Sequence, residues 1–452
     1  MTSLNPIRFP TLGSPSTMTR RAWFLVVLNL FIPGSAQSLA GNRKLGRVGL
    51  VSTFVLWVLV IAAAVLFFVA QETLVSLFTN VIALTVVQGV LIYYALLWIV
   101  LTLDTLRLVR LVKTGPIARP AVALLTVASL VVIAGVAGYG AIVVNSTRSV
   151  LTDVFSGGQM ADPVEGKYNI MLLGGDAGAS RVGLRPDSIS VVSIDADTGA
   201  TTIIGIPRNL QRVQFAKGSP LYGPYPDGYS CGVDCLVSYL YTYGEGHADL
   251  YPDALKQGSE PGIEAMRDAV SGVTGLTIQY YVLIDMGGFK DMVDALGGID
   301  IVSTGRYPVG GEEDANGTPI NVDHWIEKGE QHMTGRRALW YARSRHGTSD
   351  YDRMQRQRQV QEAIIQQFTP ANILTKFQAV AKAGTRTVKT DIPQGMLAGF
   401  VDVAGKARKQ DVTELELVPK NGVNVIFPDF DSIHAMVQAS LTAAEKAAAA
   451  KD

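Results

Sequence analysis

Residues 167 onward predict an α/β domain, a sheet covered by helices on both faces, and residues 1–144 predict a helical membrane region. Three observations carry this reading. After Lys167, short β-rich runs alternate with helical periods, as in a sheet buried on both sides. Before it, residues 48–70, 81–103 and 121–144 are uncharged runs of 23, 23 and 24 residues, each longer than the ~20 residues that span a bilayer as a helix. Charge also divides. Residues 1–150 hold 11 Lys and Arg against two acids, Glu72 and Asp104, while the remainder holds 28 against 37. The halves are thus +9 and −9, although the whole chain of 452 residues is neutral.

The elements follow in order. Residues 22–32 are apolar but stop at Pro33-Gly34, too short to cross comfortably, so 22–40 reads as an interfacial or re-entrant segment with a fourth span as the alternative. Arg20, Arg21, Arg43, Lys44 and Arg47 precede the first long span, and Arg107, Arg110, Lys113 and Arg119 fill the link between the second and third. Basic links stay cytoplasmic, which puts the N-terminus inside and everything after residue 145 outside a multi-pass plasma-membrane anchor. Residues 145–166 read as a tether. Strands are expected at 168–173, 188–194, 201–206, 280–284 and 299–302, and helices at 262–273, 288–296, 335–343, 353–368 and 372–383. The principal soluble domain is placed at 167–385, its C-terminal part at 386–438, and an Ala/Lys helix or frayed tail at 439–452.

Several function classes fall away. A net acidic soluble half disfavours a nucleic-acid partner. Two cysteines and five histidines exclude a disulfide scaffold or a His/Cys metal cage. No P-loop, GxGxxG, HExxH or CxxC pattern occurs. What remains is Arg and Asp at strand ends and helix starts. Asp176 ends the run Leu173-Gly-Gly-Asp176 and Asp187 opens the next strand after Arg185-Pro. Two carboxylates on one edge suit Mg²⁺, which shares its other positions with phosphate and water; the alternative is solvated acids in a Gly-rich turn. Arg208 follows the strand at 201–206. The densest cluster is Tyr341-Ala-Arg343-Ser-Arg345, then Asp350-Tyr-Asp-Arg353-Met-Gln-Arg356-Gln357. On a helix, Arg353, Arg356 and Gln357 share one face, continued by Val360, Ile364 and Phe368. Buried Arg needs an anionic partner. Either a phosphate held by guanidinium forks or structural pairing with Asp350 and Asp352 meets that need.

These three blocks, LLGGD…RPDSISVVSID…IPRN, GIEAMRDAV…IQYYVLIDMGGFKDMVDALGGIDI and GEQHMTGRRALWYARSRHGTSDYDRMQRQRQV, resemble the LytR-CpsA-Psr family across about residues 168–368. The resemblance implies an extracellular α/β/α sandwich with a central mixed sheet. It also implies transfer of a glycan phosphate from a polyprenyl-pyrophosphate carrier to a peptidoglycan sugar hydroxyl with Mg²⁺ or Mn²⁺. Position by position, Asp176 and Asp187 resemble the metal-binding acids. Arg185, Arg208, Arg343, Arg345, Arg353, Arg356 and Gln357 resemble the pyrophosphate-binding set, with Arg185, Arg208 and Arg353 the expected catalytic group. Asp350 resembles the acid of the D-x-x-R-x-x-R-Q helix start. The family often has an acid after the IPR arginine, where this chain has Asn209. The multi-span anchor and the Cys231-Gly-Val-Asp-Cys235 insert resemble actinobacterial members, implying arabinogalactan on decaprenyl pyrophosphate as donor. Cys231 and Cys235 are candidates for a short disulfide, which an extracellular compartment permits. A polyprenyl-pyrophosphate pyrophosphatase and a non-catalytic envelope regulator or glycan-binding module are the rival readings.

Overall fold

The computed structural model describes residues 7–10, 14–69, 80–155, 158–176, 185–314, 318–344, 349–367 and 388–450. It divides into two compact units, Met1–Arg148 and Ser149–Asp452.

The first unit is helical. Helix α1, Pro15–Phe31, starts with Pro at N1 behind the Ser14 cap, whose hydroxyl accepts from the Thr17 amide. It is 17 residues long and ends at Pro33-Gly34, after which α2 covers Ser35–Ala40. Three helices have the length and apolarity of membrane spans: Arg43–Val69 (α3), Val81–Lys113, whose α-helical part is Val81–Val109 (α4), and Ala118–Asp153 (α5). Segment 22–40 is therefore a helix and a short second helix packed on α3 and α4. Gly34 makes that packing geometrically possible. It sits at φ +95°, and a Cβ there would lie 2.7 Å from the Gly49 Cα of α3, so backbones meet without side chains between them. Buried polar groups tie the same elements: Gln37 Nε2 donates to Leu101 O at 2.8 Å and Thr105 Oγ1 at 2.9 Å.

The expected tether at 145–166 begins as helix, because α5 continues through Asp153. Beyond it lies the soluble unit. Its sheet has six strands in the order β11-β4-β1-β2-β3-β12, formed by Lys167–Asp176 (β1), Arg185–Asp195 (β2), Thr201–Ile206 (β3), Tyr280–Asp285 (β4), Val388–Thr390 (β11) and Val412–Glu416 (β12). The first three strands pair antiparallel, whereas β1–β4 and β3–β12 are parallel. The sheet is mixed, as the family resemblance implies. Alternation along β1 sends Met171 and Leu173 to one face and Ile170 and Leu172 to the other. On the first face, Met171, Leu173, Ile189, Val191, Ile204 and Ile206 pack under Pro261–Thr274 (α7) and Phe430–Ala449 (α12) through Ile263, Met266, Val270, Ile433, Val437 and Leu441. The short helix Leu240–Gly246 (α6) lies against α7. On the opposite face stand Met286–Ala295 (α8), Gly335–Arg343 (α9), Asp350–Gln367 (α10) and Leu397–Ala407 (α11). Small antiparallel ribbons join α8 to α9: Ile299–Ser303 (β5) with Gly329–Met333 (β10), Tyr307–Val309 (β6) with His324–Ile326 (β9), and Glu312–Glu313 (β7) with Pro319–Ile320 (β8).

The helical period expected at 372–383 lies outside the described residues. Residues 439–449 are the second half of α12, not a frayed end. Leu441, Ala444 and Ala448 are buried, and Ala444 and Ala448 cluster with Ala200, which precedes β3. An alanine face lets the helix approach the sheet closely, which composition alone reads as low-complexity sequence.

A chain beginning at Ser149 should fold alone and unfold in one cooperative transition. Ending that chain at residue 438 removes Leu441 and its alanine neighbours and should cost about 2 kcal/mol or more, the scale of one buried leucine. Urea unfolding of both chains measures this, and equal midpoints would contradict the packing role of 439–449.

Candidate active site

One end of the sheet gathers the first two Arg/Asp clusters. Strand β1 ends in Gly174-Gly175-Asp176, with a register shift between the two glycines, and Asp176 lies opposite Arg185 across the ladder. The shift leaves Asp187 unmatched between Pro186 and Ser188, which face Gly175 and Gly174. Ile206 pairs with Ile189, so Arg208, two residues beyond β3, reaches back to Asp187 and donates through Nη1 to its Oδ1. Arg185 is exposed, and its guanidinium lies over the Tyr239 ring at 4.5 Å. Tyr239 belongs to the long insert after β3, whose Ser238 amide donates to Arg208 O at 3.3 Å. Cys231 and Cys235 in the same insert are disulfide-bonded. Backbone register places Asp176 at the end of β1, opposite Arg185.

The third cluster is more divided than its spacing implies. Arg353, Arg356 and Gln357 are buried, with Val360 below them, as the helical stripe predicts. Phe368 and Arg345 lie outside the described residues, and Asp350 opens α10. Arg356, 1% exposed, donates through Nε to Tyr341 O at 3.0 Å and through Nη2 to Ser344 O, and its guanidinium covers the Tyr307 ring at 4.4 Å. The carbonyls it binds lie at the C-terminal end of α9, the negative end of the helix dipole. With these bonds it clamps α9. Gln357 Nε2 contacts Ala342 O at 3.4 Å in the same region. The Ser349 hydroxyl and amide donate to Asp352 at 2.8 and 2.9 Å and hold its carboxyl below the usual range. Asp352 thus caps its own helix. Tyr341, whose hydroxyl donates to Gln359 Oε1 at 2.6 Å, has its phenol pushed up by burial.

The spacing missed Arg358, which is 4% exposed. Two residues from Arg356, it points roughly 200° away around the helix. Its Nε donates to Glu416 Oε1 at 2.8 Å and its Nη1 to Gln361 at 2.7 Å. Gly205 of β3 leaves the room, since a Cβ there would lie 2.0 Å from Glu416 Oε2. The alternation Glu414, Leu415, Glu416 in β12 was the available signal for acids on this sheet face.

Between sheet and helices, next to the charged end, lies a cavity of about 120 Å³. Leu172, Ile284, Phe289, Leu339, Val360 and Ile364 make it apolar, and Gly174, Ser188, Arg343, Gln357 and Gln361 are its polar lining. Arg343 is exposed. Gly174 and Ser188 are ladder partners one residue from Gly175 and Asp187, so the cavity adjoins the Arg208–Asp187 pair. Among the described residues no group of three or more His, Cys, Asp or Glu could enclose a metal. The two acids fit an ion that keeps water or phosphate ligands, as Mg²⁺ does, and do not fit an all-protein cage.

A model described as the LytR_cpsA_psr family matches residues 144–446. The polyisoprenyl-teichoic acid–peptidoglycan teichoic acid transferase TagU of Bacillus mycoides (strain KBAB4) is 27% identical over 231 residues, 51% of this chain and 62% of that protein. The corresponding TagV of Bacillus subtilis (strain 168) is 26% identical over 283 residues, 60% of this chain and 63% of TagV. The chain thus spans less than two thirds of the length of these curated relatives. The crystal structure of B. subtilis TagV aligns with 24% identity and a TM-score of 0.43, covering 63% of this chain and 99% of that one.

Arg356→Ala should lower stability by about 3 kcal/mol, because two hydrogen bonds from a charged donor disappear inside the protein. Arg343→Ala, at an exposed site, should change stability by less than about 0.5 kcal/mol. Thermal or urea unfolding of the two variants checks the ranking, and a reversed order would remove Arg356 from the framework.

Proposed function

The chain belongs to the LytR-CpsA-Psr family, and from that premise we propose that it moves a glycan phosphate from a polyprenyl-pyrophosphate carrier to a sugar hydroxyl of peptidoglycan. One observation carries the reading most directly: an apolar cavity with a polar lining adjoins a sheet end bearing Arg185, Asp187 and Arg208. An amphiphilic donor needs both, a dry slot for the first units of its lipid and cations for its two phosphates. The TagU and TagV relatives are polyisoprenyl-teichoic acid–peptidoglycan teichoic acid transferases, which supports the same class.

In this reaction the acceptor hydroxyl oxygen forms a bond to the glycan-bearing phosphorus, and the bond from that phosphorus to the bridging oxygen breaks. Polyprenyl phosphate leaves, and the hydroxyl proton passes to solvent or to a site carboxylate. Charge builds on the leaving phosphate, so fixed cations aimed at it lower the barrier. Arg208 is oriented by Asp187 and Arg185 by the Tyr239 ring; Arg343 and Gln357 border the slot from the helical side, with Arg345, Asp350, Arg353 and Arg356 assigned beside them by the family resemblance. Asn209 offers no carboxylate to take the proton. Asp176 and Asp187 would hold Mg²⁺ or Mn²⁺, which when bound neutralises pyrophosphate oxygens. The glycan assigned is arabinogalactan, on the resemblance of the long helical anchor and the disulfide insert to actinobacterial members. The basic links of the anchor orient this domain to the outside of the plasma membrane.

Incubating the full chain with polyprenyl-pyrophosphate-linked arabinogalactan and peptidoglycan should attach the glycan covalently. Chelation should stop the reaction and Mg²⁺ restore it. Arg185→Ala and Arg208→Ala should each lower turnover by about a hundredfold, the equivalent of roughly 3 kcal/mol of lost charge stabilisation. Release of free glycan phosphate with peptidoglycan left unmodified would establish a pyrophosphatase instead, and full activity in chelator would remove the metal.

A further inference from the structure

The segment after Arg208 carries a second cation that donor recognition does not use. Arg212 stands at φ +53°, a left-handed conformation that residues with a Cβ adopt rarely and that collects at binding sites. Its neighbours fix it there. The Gln211 amide donates to Val425 O at 2.9 Å, and Val213 O accepts from the Tyr229 amide at 2.8 Å. Val213 is buried in the core beneath α7 and α12, and Arg212 turns outward and is exposed.

The side chain is preset as well. Its guanidinium lies over the ring of Phe427 at 4.5 Å. Phe427 stands three residues before α12 and is 61% exposed. Stacking occupies one flat face of the guanidinium and leaves its N–H donors, which lie in the plane, open to a ligand. Among the described residues no carboxylate pairs with Arg212, although residues 151–452 hold 37 acids against 28 bases. An oriented guanidinium without an internal acid fits an anionic ligand.

Position tells which anion. Leu210, Val213 and Phe215 pack on the sheet face covered by α7 and α12, whereas the apolar cavity lies on the other face, against α8, α9 and α10. A lipid seated in that cavity draws the leaving phosphate to its own side. Phosphoryl transfer runs in line, so the entering hydroxyl arrives from the opposite side, where Arg212 stands. Arg185 and Arg208 already meet the donor phosphates at the sheet end, which leaves the acceptor as the anion before Arg212. Peptidoglycan supplies one: its muramyl sugars carry lactyl-linked peptides with free carboxylates, and a planar carboxylate meets a guanidinium fork through two parallel hydrogen bonds.

We propose that Arg212, held by Phe427, binds a carboxylate of the peptide stem on the acceptor and so presents the neighbouring sugar hydroxyl to the phosphate site. The identity of the acceptor rests on the transferase reading, and the contact itself makes and breaks no covalent bond.

The test is a calorimetric titration, without donor, of the full chain in nanodiscs with soluble muropeptides cut from peptidoglycan. Carbodiimide amidation of the muropeptide carboxylates should weaken binding by about tenfold, the scale of one charge-assisted hydrogen bond. Arg212→Asn, a residue that tolerates positive φ, should lose the same factor with intact muropeptides and nothing further with amidated ones. Phe427→Leu, which keeps the cation and releases its orientation, should lose less in the same direction. Amidation is read on the unaltered protein and so decides the matter even if a variant does not fold. Equal binding of intact and amidated muropeptides, or equal binding with and without Arg212, would overturn the assignment while leaving the transferase reading in place. Failure of the unaltered chain to bind muropeptides would also overturn it, and covalent attachment of glycan to peptidoglycan then decides the transferase reading separately.

Discussion

A guanidinium can be buried only where acceptors meet it, and α10 carries three buried arginines, Arg353, Arg356 and Arg358. Much of the soluble unit is arranged around that requirement. Arg358 reaches Glu416 on β12 and so fixes the helix over the sheet. Arg356 turns the opposite way and takes the carbonyls of Tyr341 and Ser344. Held on both flanks, α10 presents Val360 and Ile364 towards Leu172 of β1, and the space between them is the apolar cavity. Removing one partner of such a pair leaves an uncompensated charge, which costs more than the pair itself contributes.

The same arrangement keeps two incompatible environments adjacent. Phosphate recognition needs exposed or half-exposed cations, and lipid recognition needs a surface free of water. Strand β1 supplies the boundary between them. Leu172 lines the apolar space, Gly174 without a side chain marks its polar edge, and Asp176 closes the strand opposite Arg185. The transition takes five residues of one strand, about 13 Å from Leu172 to Asp176 at the usual rise. The register shift at Gly174/Gly175 then displaces Asp187 towards Arg208. A bulge at a sheet end re-aims side chains without disturbing the hydrophobic alternation behind it.

In the other unit, the same accounting of donors and acceptors decides which polar groups belong to packing. Gln37 bridges α2 to α4 and contributes to assembly, and Arg21 donates to Ile7 O and Leu108 O. Asn29 Nδ2 donates to Thr102 Oγ1 at 3.4 Å and so links α1 to α4.

The sequence by itself determined the three apolar runs, the sign of charge on either side of residue 150, the alternation of β1, β2 and β3, and the buried face of α10. These are local periodicities, and a period of two or 3.6 residues survives any tertiary arrangement. It also brought forward Arg185, Asp187 and Arg208, since residues at strand ends stand where a sheet presents ligands. Only the tertiary structure decided the antiparallel pairing of the first three strands, because the same alternation fits either direction. It alone gave Arg356 its carbonyl partners on α9 and paired Arg358 with Glu416, 58 residues away. The reason is physical: period gives the direction in which a side chain leaves its helix, and the partner waiting there comes from a distant segment whose position no local spacing contains.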